Sequence, residues 1–563
     1  MKNVKHFFFL LIASALLVSC TEDTETIVEK IVDTDISTNT TWVAGDTYII
    51  QGDINIDNSI LTIQPGTTIK FDAGASLSIG YYGAATIIAN GTSDKPIIFS
   101  STAASPTAGA WEGIFLYGYN SANSSFKFCQ IKYAGTNDYG AINIDGTSCT
   151  FSNNTIQYAK KLGVRFVDAD AFCSEMNNNT ISDNGGHAIR IAAAQVDKIG
   201  TGNTFTLSDN FGVNVWGTTV SGTVTWKNLD KPYYIEGDIM VDNASLTIEP
   251  GTILKFDVTS SFSLGYYNTA TLIANGTTTS NIVFTSSAIS PTAGAWDGIY
   301  FYSHNQTNSS MTYCEVAYAG KTNNQAINVD NTSLTFTNNN VHHSSGFGID
   351  LETDGSFVAM NNNTINNCAN HAIQINTKYL HTLGTGNTIT SAEGFGIYLT
   401  DGTVDAVATW RKQTVPVYIN NEIDIENTLT IEAGSIFKFG ASGSIFIGYY
   451  NVAQVNAIGT SANPIVFTAI STTPAAGAWE GITFYSNTSS NTTLDYCEFR
   501  YAGKGTTATR AAVYLDRVPS MTIKNCKFMD SNGWGIYKYS TTLSAESINN
   551  TFTNCSLGQM GTN

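Results

Sequence analysis

The amino-acid sequence predicts an all-β protein, a right-handed parallel β-helix built from three tandem copies of a unit of about 184 residues. Trp42, Trp226 and Trp410 are separated by one interval of 184 residues, 226 − 42 and 410 − 226. Short segments of alternating apolar and polar residues follow each tryptophan, as in Leu77-Ser-Ile and Ala141-Ile-Asn-Ile. Gly, Asn, Asp, Ser and Thr separate these segments, which is typical of strands joined by tight turns.

Four motifs recur in the same order in every copy, so the copies are true repeats. The motifs are Leu-Thr-Ile at Leu61, Leu246 and Leu429, Gly-Tyr-Tyr at Gly80, Gly265 and Gly448, Gly-Ala-Trp-acid-Gly-Ile at Gly109, Gly294 and Gly477, and Tyr-Ala-Gly at Tyr133, Tyr318 and Tyr501. An antiparallel sandwich needs no such long-period similarity, whereas stacked coils do. Three strands per coil predict about eight coils per copy and a body roughly 100 Å long. The asparagine runs at Asn177, Asn338 and Asn361 fit turns in which stacked amides hydrogen-bond along the axis.

The Leu-Thr-Ile-x-Pro-Gly-Thr segments (61–67 and 246–252) and the Gly-Ala-Trp-acid-Gly-Ile blocks resemble those of bacterial right-handed parallel β-helix proteins of the pectin-lyase-like fold. Many proteins of this group are exported lipoproteins. The resemblance extends from Trp42 almost to the end of the chain, and it implies a fold rather than one activity. Its members include both polysaccharide-degrading enzymes and proteins with no known reaction.

The first residues predict export and lipid attachment. Lys2 and Lys5 precede an apolar run (7–17) that is too short to span a bilayer as a mature helix. The segment 17–20, Leu-Val-Ser-Cys, matches the lipobox of bacterial lipoproteins, in which the Cys20 thiol carries diacylglycerol. An ordinary signal peptide with an incidental cysteine is the alternative. We therefore expect a signal peptide (1–19), an acidic flexible tether (20–41) and β-helix copies at 42–225, 226–409 and 410–563.

The charge balance restricts the partners. The chain has 27 Lys and Arg against 45 Asp and Glu, and loss of Lys2 and Lys5 with the signal peptide leaves 25 against 45, a formal charge of −20. Such a surface repels nucleic acid and acidic polysaccharides. We expect the membrane, through the lipid, and neutral glycans as partners. The expected location is the cell envelope, as an outer-membrane lipoprotein whose short acidic segment after Cys20 resembles a surface-export signal.

Eight cysteines remain after Cys20. Cys129, Cys314 and Cys497 occupy equivalent places in the three copies, too far apart along a solenoid to form disulfides with one another. We expect them to be small buried residues in an inward-facing stack. No Cys-x-x-Cys or Cys/His spacing indicates a metal site.

The candidates for catalysis differ between the copies. In the resembled family, enzymes that cleave acidic polysaccharides by elimination use an Arg or Lys base with calcium, and hydrolases use a cluster of aspartates beside a Gly-His-Gly turn. Arg165 corresponds to Asp350 in the second copy, and Arg190 corresponds to Gln374. His187 is followed by Ala-Ile, as is His371 in the second copy, which favours a turn residue in both. We assign no catalytic residue.

The densest carboxylate group consists of Asp350, Glu352 and Asp354, with Asp168 and Asp170 in the corresponding region of copy 1. Residues two apart on a strand share a face, so these side chains are weak candidates for a calcium site or a general acid/base pair. A solvated acidic face is the favoured interpretation, and no cofactor is otherwise expected.

Repeated aromatic residues are the candidates for binding. Exposed rings suit stacking on the apolar faces of neutral sugars. Adjacent tyrosines on a strand point to opposite faces, so we expect one ring of each Tyr-Tyr pair to be exposed. The tryptophans of the Gly-Ala-Trp blocks are less favourable because they precede what resembles a packed strand. The candidates are Tyr81, Tyr82, Trp111, Tyr266, Tyr267, Trp296, Tyr449, Tyr450 and Trp479.

Two functional hypotheses follow. The first is a non-catalytic, lipid-anchored scaffold of the cell envelope that serves as a stalk, adhesin or glycan-binding protein. The second is a polysaccharide lyase or glycoside hydrolase with a site in one copy only. The third copy stops short of a full unit at Asn563, so we also expect either a short plug from Ser556 to Asn563 or self-association at that end.

Overall fold

A computed structural model describes residues 28–563 as a solenoid of parallel coils. Every pairing between its named strands is parallel, and the strands form six sheets. We refer to these sheets by the numbers 1 to 6. The right-handed parallel β-helix predicted from the repeats is confirmed.

Copy 1 is three-sided, with one sheet on each side. Sheet 1 contains Glu29–Val32, Thr47–Ile50, Thr68–Phe71, Ile97–Ser101, Cys129–Lys132, Thr155–Gln157, Thr180–Ser182 and Thr204–Thr206. Sheet 2 contains Asp53–Ile56, Ser76–Ile79, Gly113–Leu116, Ile142–Ile144, Val164–Phe166, Ile189–Ala192, Val213–Trp216, Tyr233–Glu236, Ile253–Phe256, Ile282–Ser286, Cys314–Ala317, Asn340–His342, Thr364–Asn366 and Thr388–Ile389. Sheet 3 contains Thr40–Trp42, Ser59–Ile63, Ala85–Asn90, Ser125–Lys127, Ser148–Ser152 and Phe172–Glu175.

The remaining sheets lie mainly in copies 2 and 3, and sheet 2 also provides one side of copy 2. Sheet 4 contains Thr219–Trp226, Ile239–Ile248, Ser261–Leu264, Ala270–Asn275, Gly298–Phe301, Ser310–Thr312, Gln325–Asp330, Ser333–Thr337, Phe347–Glu352, Ser356–Asn361, Ile373–Asn376, Ile397–Thr400, Val417–Ile419, Ile436–Phe439, Ile465–Ala469, Cys497–Arg500, Lys527–Met529 and Thr551–Thr553. Sheet 5 contains Thr403–Val404, Glu422–Ile425, Ser444–Ile447, Gly481–Phe484, Ala511–Asp516, Trp534–Tyr539 and Gly558–Thr562. Sheet 6 contains Ala408–Trp410, Thr428–Ile431, Gln454–Ile458, Thr493–Asp495 and Thr522–Lys524. Two short 3-10 helices, Ala193–Lys198 and Thr377–Thr382, replace a strand at one side of their coils.

The alternating segments form strands because one face of each is buried. Ala85–Asn90 alternates strictly between buried and half-buried side chains, as expected for a strand with an inward and an outward face. Inward residues such as Leu61, Ile69 and Phe71 are completely buried and belong to one continuous apolar core. Burial of that core along the whole axis is the main source of stability.

Asparagines form ladders inside the turns, as the asparagine runs predicted. The Asn154 side chain accepts the backbone N–H of Cys129 at 2.8 Å and donates to the Phe126 carbonyl at 2.9 Å. Asn179 repeats this pattern one coil further, accepting from the Asn154 N–H at 3.0 Å. Copy 2 has the same ladder through Asn339, Asn363 and Asn387. These buried amides satisfy backbone groups that the turn would otherwise leave without a partner.

The three equivalent cysteines are buried, which confirms their predicted inward position. Cys129, Cys314 and Cys497 are at most 1% exposed and free. Burial raises the pKa of the Cys314 thiol to about 12, so it behaves as a small apolar side chain.

The described residues correct two predicted boundaries. The signal peptide, Cys20 and the beginning of the tether lie outside the described residues. However, Glu29–Val32 pairs with Thr47–Ile50 and Ile36 forms a bridge with Ile56, so the segment from 29 to 41 is the first coil rather than flexible tether. Ile36 is buried in the core and Val32 packs against it, which closes this first coil.

The predicted plug from Ser556 to Asn563 is wrong, because this segment continues the solenoid. Gly558–Thr562 pairs in parallel with Trp534–Tyr539 as a further strand of sheet 5. Its glycines allow the close approach, since a Cβ at Gly561 would lie 2.6 Å from the Trp534 ring.

Residues 28–563 contain no helix long and apolar enough to cross a membrane.

Candidate functional site: a repeated tyrosine corner

The Tyr-Tyr pair lies at a corner of the coil and not on a strand. In copy 1 the pair follows Ser76–Ile79 and precedes Ala85–Asn90. The chain turns there at Gly80, which has φ +72°. A Cβ on Gly80 would lie 2.3 Å from the Asn120 nitrogen in the next coil, so both the turn and the close approach require glycine. Gly265 and Gly448 have the same role, with φ +68° and +66°.

Both rings of each pair are exposed, which corrects the prediction of one exposed ring. Strand alternation does not apply at a corner, so neither ring is directed into the core. The exposed fractions are 46% and 74% for Tyr81 and Tyr82, 48% and 65% for Tyr266 and Tyr267, and 50% and 71% for Tyr449 and Tyr450.

A third tyrosine, which the sequence analysis did not identify, completes each group. The Tyr81 ring contacts Tyr82 edge-to-face at a centroid distance of 4.5 Å, and it contacts Tyr117 from the next coil at 4.7 Å. The corresponding distances are 4.5 and 4.8 Å around Tyr266, with Tyr302 as the third ring, and 4.5 and 4.7 Å around Tyr449, with Tyr485. We call each group of three rings a tyrosine corner. The recurrence of Tyr117, Tyr302 and Tyr485 at matching places was the signal that could have revealed them.

A carboxylate from the preceding coil fixes the backbone of each corner. Asp57 accepts hydrogen bonds from the N–H groups of Tyr82 and Gly83, both at 2.9 Å. Asp242 does the same for Tyr267 and Asn268, at 3.2 and 3.1 Å. Charge-assisted bonds of this kind are stronger than neutral ones, so the rings are presented on a preorganised turn.

In copy 3 a glutamate, Glu426, takes the place of the corner aspartate. Glu426 stands three residues before its Leu-Thr-Ile motif, whereas Asp57 and Asp242 stand four residues before theirs. The longer side chain of Glu426 still reaches the N–H groups of Tyr449 and Tyr450, at 3.0 and 3.1 Å, and also that of Asn451. The corner is therefore maintained although the sequence beneath it changes.

The chemistry of the corner is that of a neutral aromatic surface with hydroxyl donors. Burial against the neighbouring coil, followed by the proximity of Tyr81, raises the pKa of Tyr117, and burial raises that of Tyr485 to about 12. Their hydroxyl groups therefore remain protonated at neutral pH. An acid lies near the third ring of each corner, namely Asp145, Asp330 and Asp516, and further acids lie near Tyr302 and Tyr485.

The three candidate tryptophans are internal, which corrects their assignment to sugar stacking. Trp111, Trp296 and Trp479 are 0% exposed. The Trp111 ring stacks on Phe71 at a centroid distance of 3.9 Å, and its Nε1 donates to the Lys132 carbonyl at 2.8 Å. Trp296 and Trp479 make the same two contacts, so these residues join adjacent coils and offer no ring face to a ligand.

The carboxylates of copy 2 do not converge on one site, and Asp350 is buried, which corrects the favoured prediction of a solvated acidic face. Asp350 is 5% exposed and accepts a hydrogen bond from Gln374 at 2.8 Å. Asp354 lies beyond the strand and accepts from the Tyr379 hydroxyl at 3.0 Å, away from Asp350 and Glu352. Across residues 28–563 no group of three or more His, Cys, Asp or Glu side chains is placed to hold a metal ion.

The two histidines are structural. His187 Nδ1 accepts the Gly212 N–H at 3.1 Å, and His371 Nδ1 accepts the Gly396 N–H at 3.0 Å. Burial lowers the pKa of both, that of His371 to about 4, which keeps the imidazoles neutral and able to accept. This geometry agrees with their interpretation as turn residues.

Copy 1 has one additional cleft on sheet 2, beside its corner. It measures about 200 Å³ and is lined by Phe115, Tyr117, Tyr139, Asn143, Asp145 and Arg165, among others. The Arg165 guanidinium lies 5.9 Å from the Tyr139 ring centre. Burial, together with the nearby Asp168 carboxylate, raises the pKa of Asp145. We call this the copy 1 cleft.

The corresponding side of copy 3 has a larger cleft with different charges. This cleft measures about 400 Å³, and its lining includes Glu480, Lys504 and Arg510. Lys504 pairs with Glu480 at 3.3 Å and donates to the Ala441 carbonyl, and Arg510 donates to backbone carbonyls. Its cations are therefore occupied by the scaffold. The clefts differ between copies, whereas the corners are the same.

A comparison with protein families agrees with the repeat. The family model described as a pectate-lyase like beta helix domain matches residues 34–182, 217–325 and 402–513, once in each copy. Neither a curated protein nor a solved structure matches the chain significantly. Because the matched segments make up more than half of the chain, the protein belongs to the family of pectate-lyase-like β-helix domains.

Proposed function

We propose that the protein is a non-catalytic scaffold of the cell envelope that binds neutral glycans at its tyrosine corners. One observation supports this proposal above all others. The same three rings, in the same edge-to-face arrangement and held by a carboxylate of the preceding coil, occur in all three copies. The clefts beside the corners, by contrast, differ between copy 1 and copy 3.

Physical chemistry favours a neutral sugar as the occupant. Exposed tyrosine rings offer apolar faces for stacking, and protonated hydroxyls and a nearby carboxylate can bond to sugar hydroxyls. A formal charge of −18 for the whole chain opposes polyanions. Uronic-acid polymers are therefore disfavoured, and uncharged polysaccharides are the proposed class.

A glycan array tests this proposal directly. The wild-type protein is expected to retain neutral glycans, and the variant Tyr82→Ala/Tyr267→Ala/Tyr450→Ala is expected to lose them. Tyr539→Ala is the matched control, because this tyrosine is also exposed (39%) but belongs to no corner. Equal retention by the wild type and the triple variant would exclude the corners as binding sites.

The anchor and the location are part of the same proposal and rest on the sequence. Cys20 is the proposed lipidation site, and the proposed location is the outer membrane, with exposure at the cell surface. When cells that produce Cys20→Ala are fractionated, we expect the protein in the soluble fraction instead of the membrane fraction. A variant that remains in the membrane fraction would contradict lipid anchoring and leave the glycan proposal intact.

The copy 1 cleft supports a second candidate function, a polysaccharide-degrading enzyme with its site in one copy. The supporting observation is the grouping of Asp145, Asp168 and Arg165 beside aromatic rings. Release of reducing ends from the same neutral glycans tests for a hydrolase, and release of unsaturated products from uronic-acid polymers tests for a lyase. Activity that disappears in Arg165→Gln and Asp145→Asn would establish it over the non-catalytic proposal.

A further inference from the structure

The tyrosine corners of successive copies point in different directions. Sheet 2 demonstrates this because it continues from copy 1 into copy 2. In copy 1 it contains Ser76–Ile79, the strand directly before the corner. In copy 2 it contains Ile253–Phe256, which precedes the corner strand Ser261–Leu264 by one side of the coil. Relative to this common sheet, the second corner lies one side further around the axis.

The same shift occurs between copies 2 and 3. Ser261–Leu264 is connected through successive parallel pairings to Ile436–Phe439 in sheet 4. The corner strand of copy 3, Ser444–Ile447, belongs instead to sheet 5, the next side. Each copy is therefore rotated in the same sense by at most one side. The strand after the corner keeps its stack, because Phe172–Glu175 contacts the 3-10 helix Ala193–Lys198, and Thr219–Trp226 and Ala270–Asn275 follow on that helix.

The strand ladders give the size of the step. Seven pairings lead from Ser76–Ile79 to Ile253–Phe256, and one more side leads to the corner. At about 4.8 Å per coil, the corners are spaced by roughly 35 Å along the axis. One side of a three-sided coil corresponds to about 120°, which is the upper bound of the rotation between copies. A copy therefore advances by a non-integral number of coils, fewer than the eight expected from strand spacing.

From this arrangement we infer that the protein bridges three separate neutral glycan chains, one per corner. The inference rests on the proposed function. A stiff chain that lies parallel to the axis at one corner does not meet the other two corners, because they are displaced around the axis. Each corner is built alike, so the three sites have the same specificity and similar affinity. The result is a trivalent cross-linker whose sites radiate from one rod.

The radial arrangement also distinguishes this protein from a processive or polymer-tracking surface. Such a surface would align equivalent rings on one side, as an integral number of coils per copy would achieve. The junctions instead include the 3-10 helices Ala193–Lys198 and Thr377–Thr382, at which one side of the coil lacks a strand. These junctions produce the rotation between equivalent sites.

Calorimetric titration with neutral hexasaccharides tests the inference. The probes are hexasaccharides of β-glucan, mannan and xylan, followed by the corresponding polymers in light-scattering measurements. We expect three equivalent hexasaccharide sites on the wild type and a cross-linked network with the polymer. The variant Tyr267→Ala/Tyr450→Ala, which retains the copy 1 corner, is expected to bind one hexasaccharide with unchanged affinity and to form no network. Tyr539→Ala is expected to behave as the wild type.

The possible outcomes distinguish failure of the bridging inference from failure of the proposed glycan binding. Binding of a single hexasaccharide, or polymer binding without a network, would overturn the bridging inference while the corners remain binding sites. A single polymer wrapped around the rod would give one polymer per protein, which also overturns it. If none of the three probe classes binds, both the inference and the proposed function fail.

Discussion

The tyrosine corner and the copy 1 cleft share Tyr117, but the corner is repeated in every copy and the cleft is not. The corner is present in every copy and is held by backbone hydrogen bonds to Asp57, Asp242 or Glu426. The cleft residues change from copy to copy, and Arg165 is replaced by Asp350 at the equivalent place. A feature that survives both the repeat and a change in its supporting acid is a better candidate for function than one that varies freely.

The carboxylates illustrate the same difference. At the corners they accept backbone N–H groups and stabilise a turn. On the lateral strands they lack such donors, and burial raises the pKa of Asp145 and Asp350. The lateral strands thus hold perturbed acids of the kind used in catalysis, and the corners hold structural acids. Substitutions can test this distinction.

The largest effect is expected at the corner glycine. In Gly80→Ala the new Cβ would meet backbone atoms of Tyr119 and Asn120 at 2.5 and 2.3 Å in a left-handed conformation, φ +72°. We expect a loss of about 4 kcal/mol in the free energy of unfolding, measured by denaturant titration. Gly52→Ala is the control, because its φ is +83° but no atom lies within 4 Å, so a loss of about 1 kcal/mol is expected. Equal losses would contradict the close approach of the coils at the corner.

Asp350 is expected to make the free energy of unfolding depend on pH. Burial first, and then the neighbouring Glu352, raises the pKa of Asp350 from 3.8 to about 7. The folded protein therefore binds this proton more tightly than the unfolded chain, and the free energy of unfolding falls as pH rises through this interval. Asp350→Asn is expected to lack the fall and to exceed the wild type by about 3 kcal/mol at pH 8.

Thermal melting between pH 4 and pH 8 measures this effect. The control is Asp354→Asn, since this exposed carboxylate lies beyond the same strand. It is expected to retain the wild-type slope. A wild-type protein whose stability rises over this range would show that Asp350 is ionised at a normal pKa.

The corner acid is expected to contribute less. Asp242→Ala removes the acceptor for the N–H groups of Tyr267 and Asn268, with an expected loss of about 2 kcal/mol. Asp242→Asn retains one acceptor oxygen and is expected to lose about half as much. Denaturant titration and binding at the copy 2 corner measure both effects. If Asp242→Ala is as stable as the wild type, the acid does not hold the turn.

The fold and the repeat were predictable because the inward residues recur at fixed places. The positions of the tyrosine and tryptophan rings were harder to predict from the sequence. Alternation along a strand placed Tyr81 and Tyr82 on opposite faces, but the positive φ of Gly80 puts both at a corner. Tyr117 joins them only through the stacking of coils. The packed strand after Trp111 already made it a weak binding candidate, but its contacts with Phe71 and with the Lys132 carbonyl of the next coil could not be read from the sequence.

The rotation between copies could not be read from the sequence. An interval of 184 residues does not state how many times the chain winds, because insertions at corners change coil length. The segment Thr102–Glu112, for example, separates two strands that elsewhere follow each other closely. Only the strand pairings reveal that sheet 2 holds the corner strand in copy 1 but the strand before the corner strand in copy 2.

The most direct test compares the corners with the cleft on one ligand. The affinity of the neutral hexasaccharide that binds the wild type is measured for the corner variant Tyr82→Ala/Tyr267→Ala/Tyr450→Ala and for the cleft variant Tyr139→Ala/Arg165→Gln. We predict that the corner variant loses measurable binding, with a weakening of at least about tenfold at each corner, and that the affinity of the cleft variant is unchanged. Unchanged affinity in the corner variant, with loss in the cleft variant, would contradict the central claim that the repeated corners carry the function.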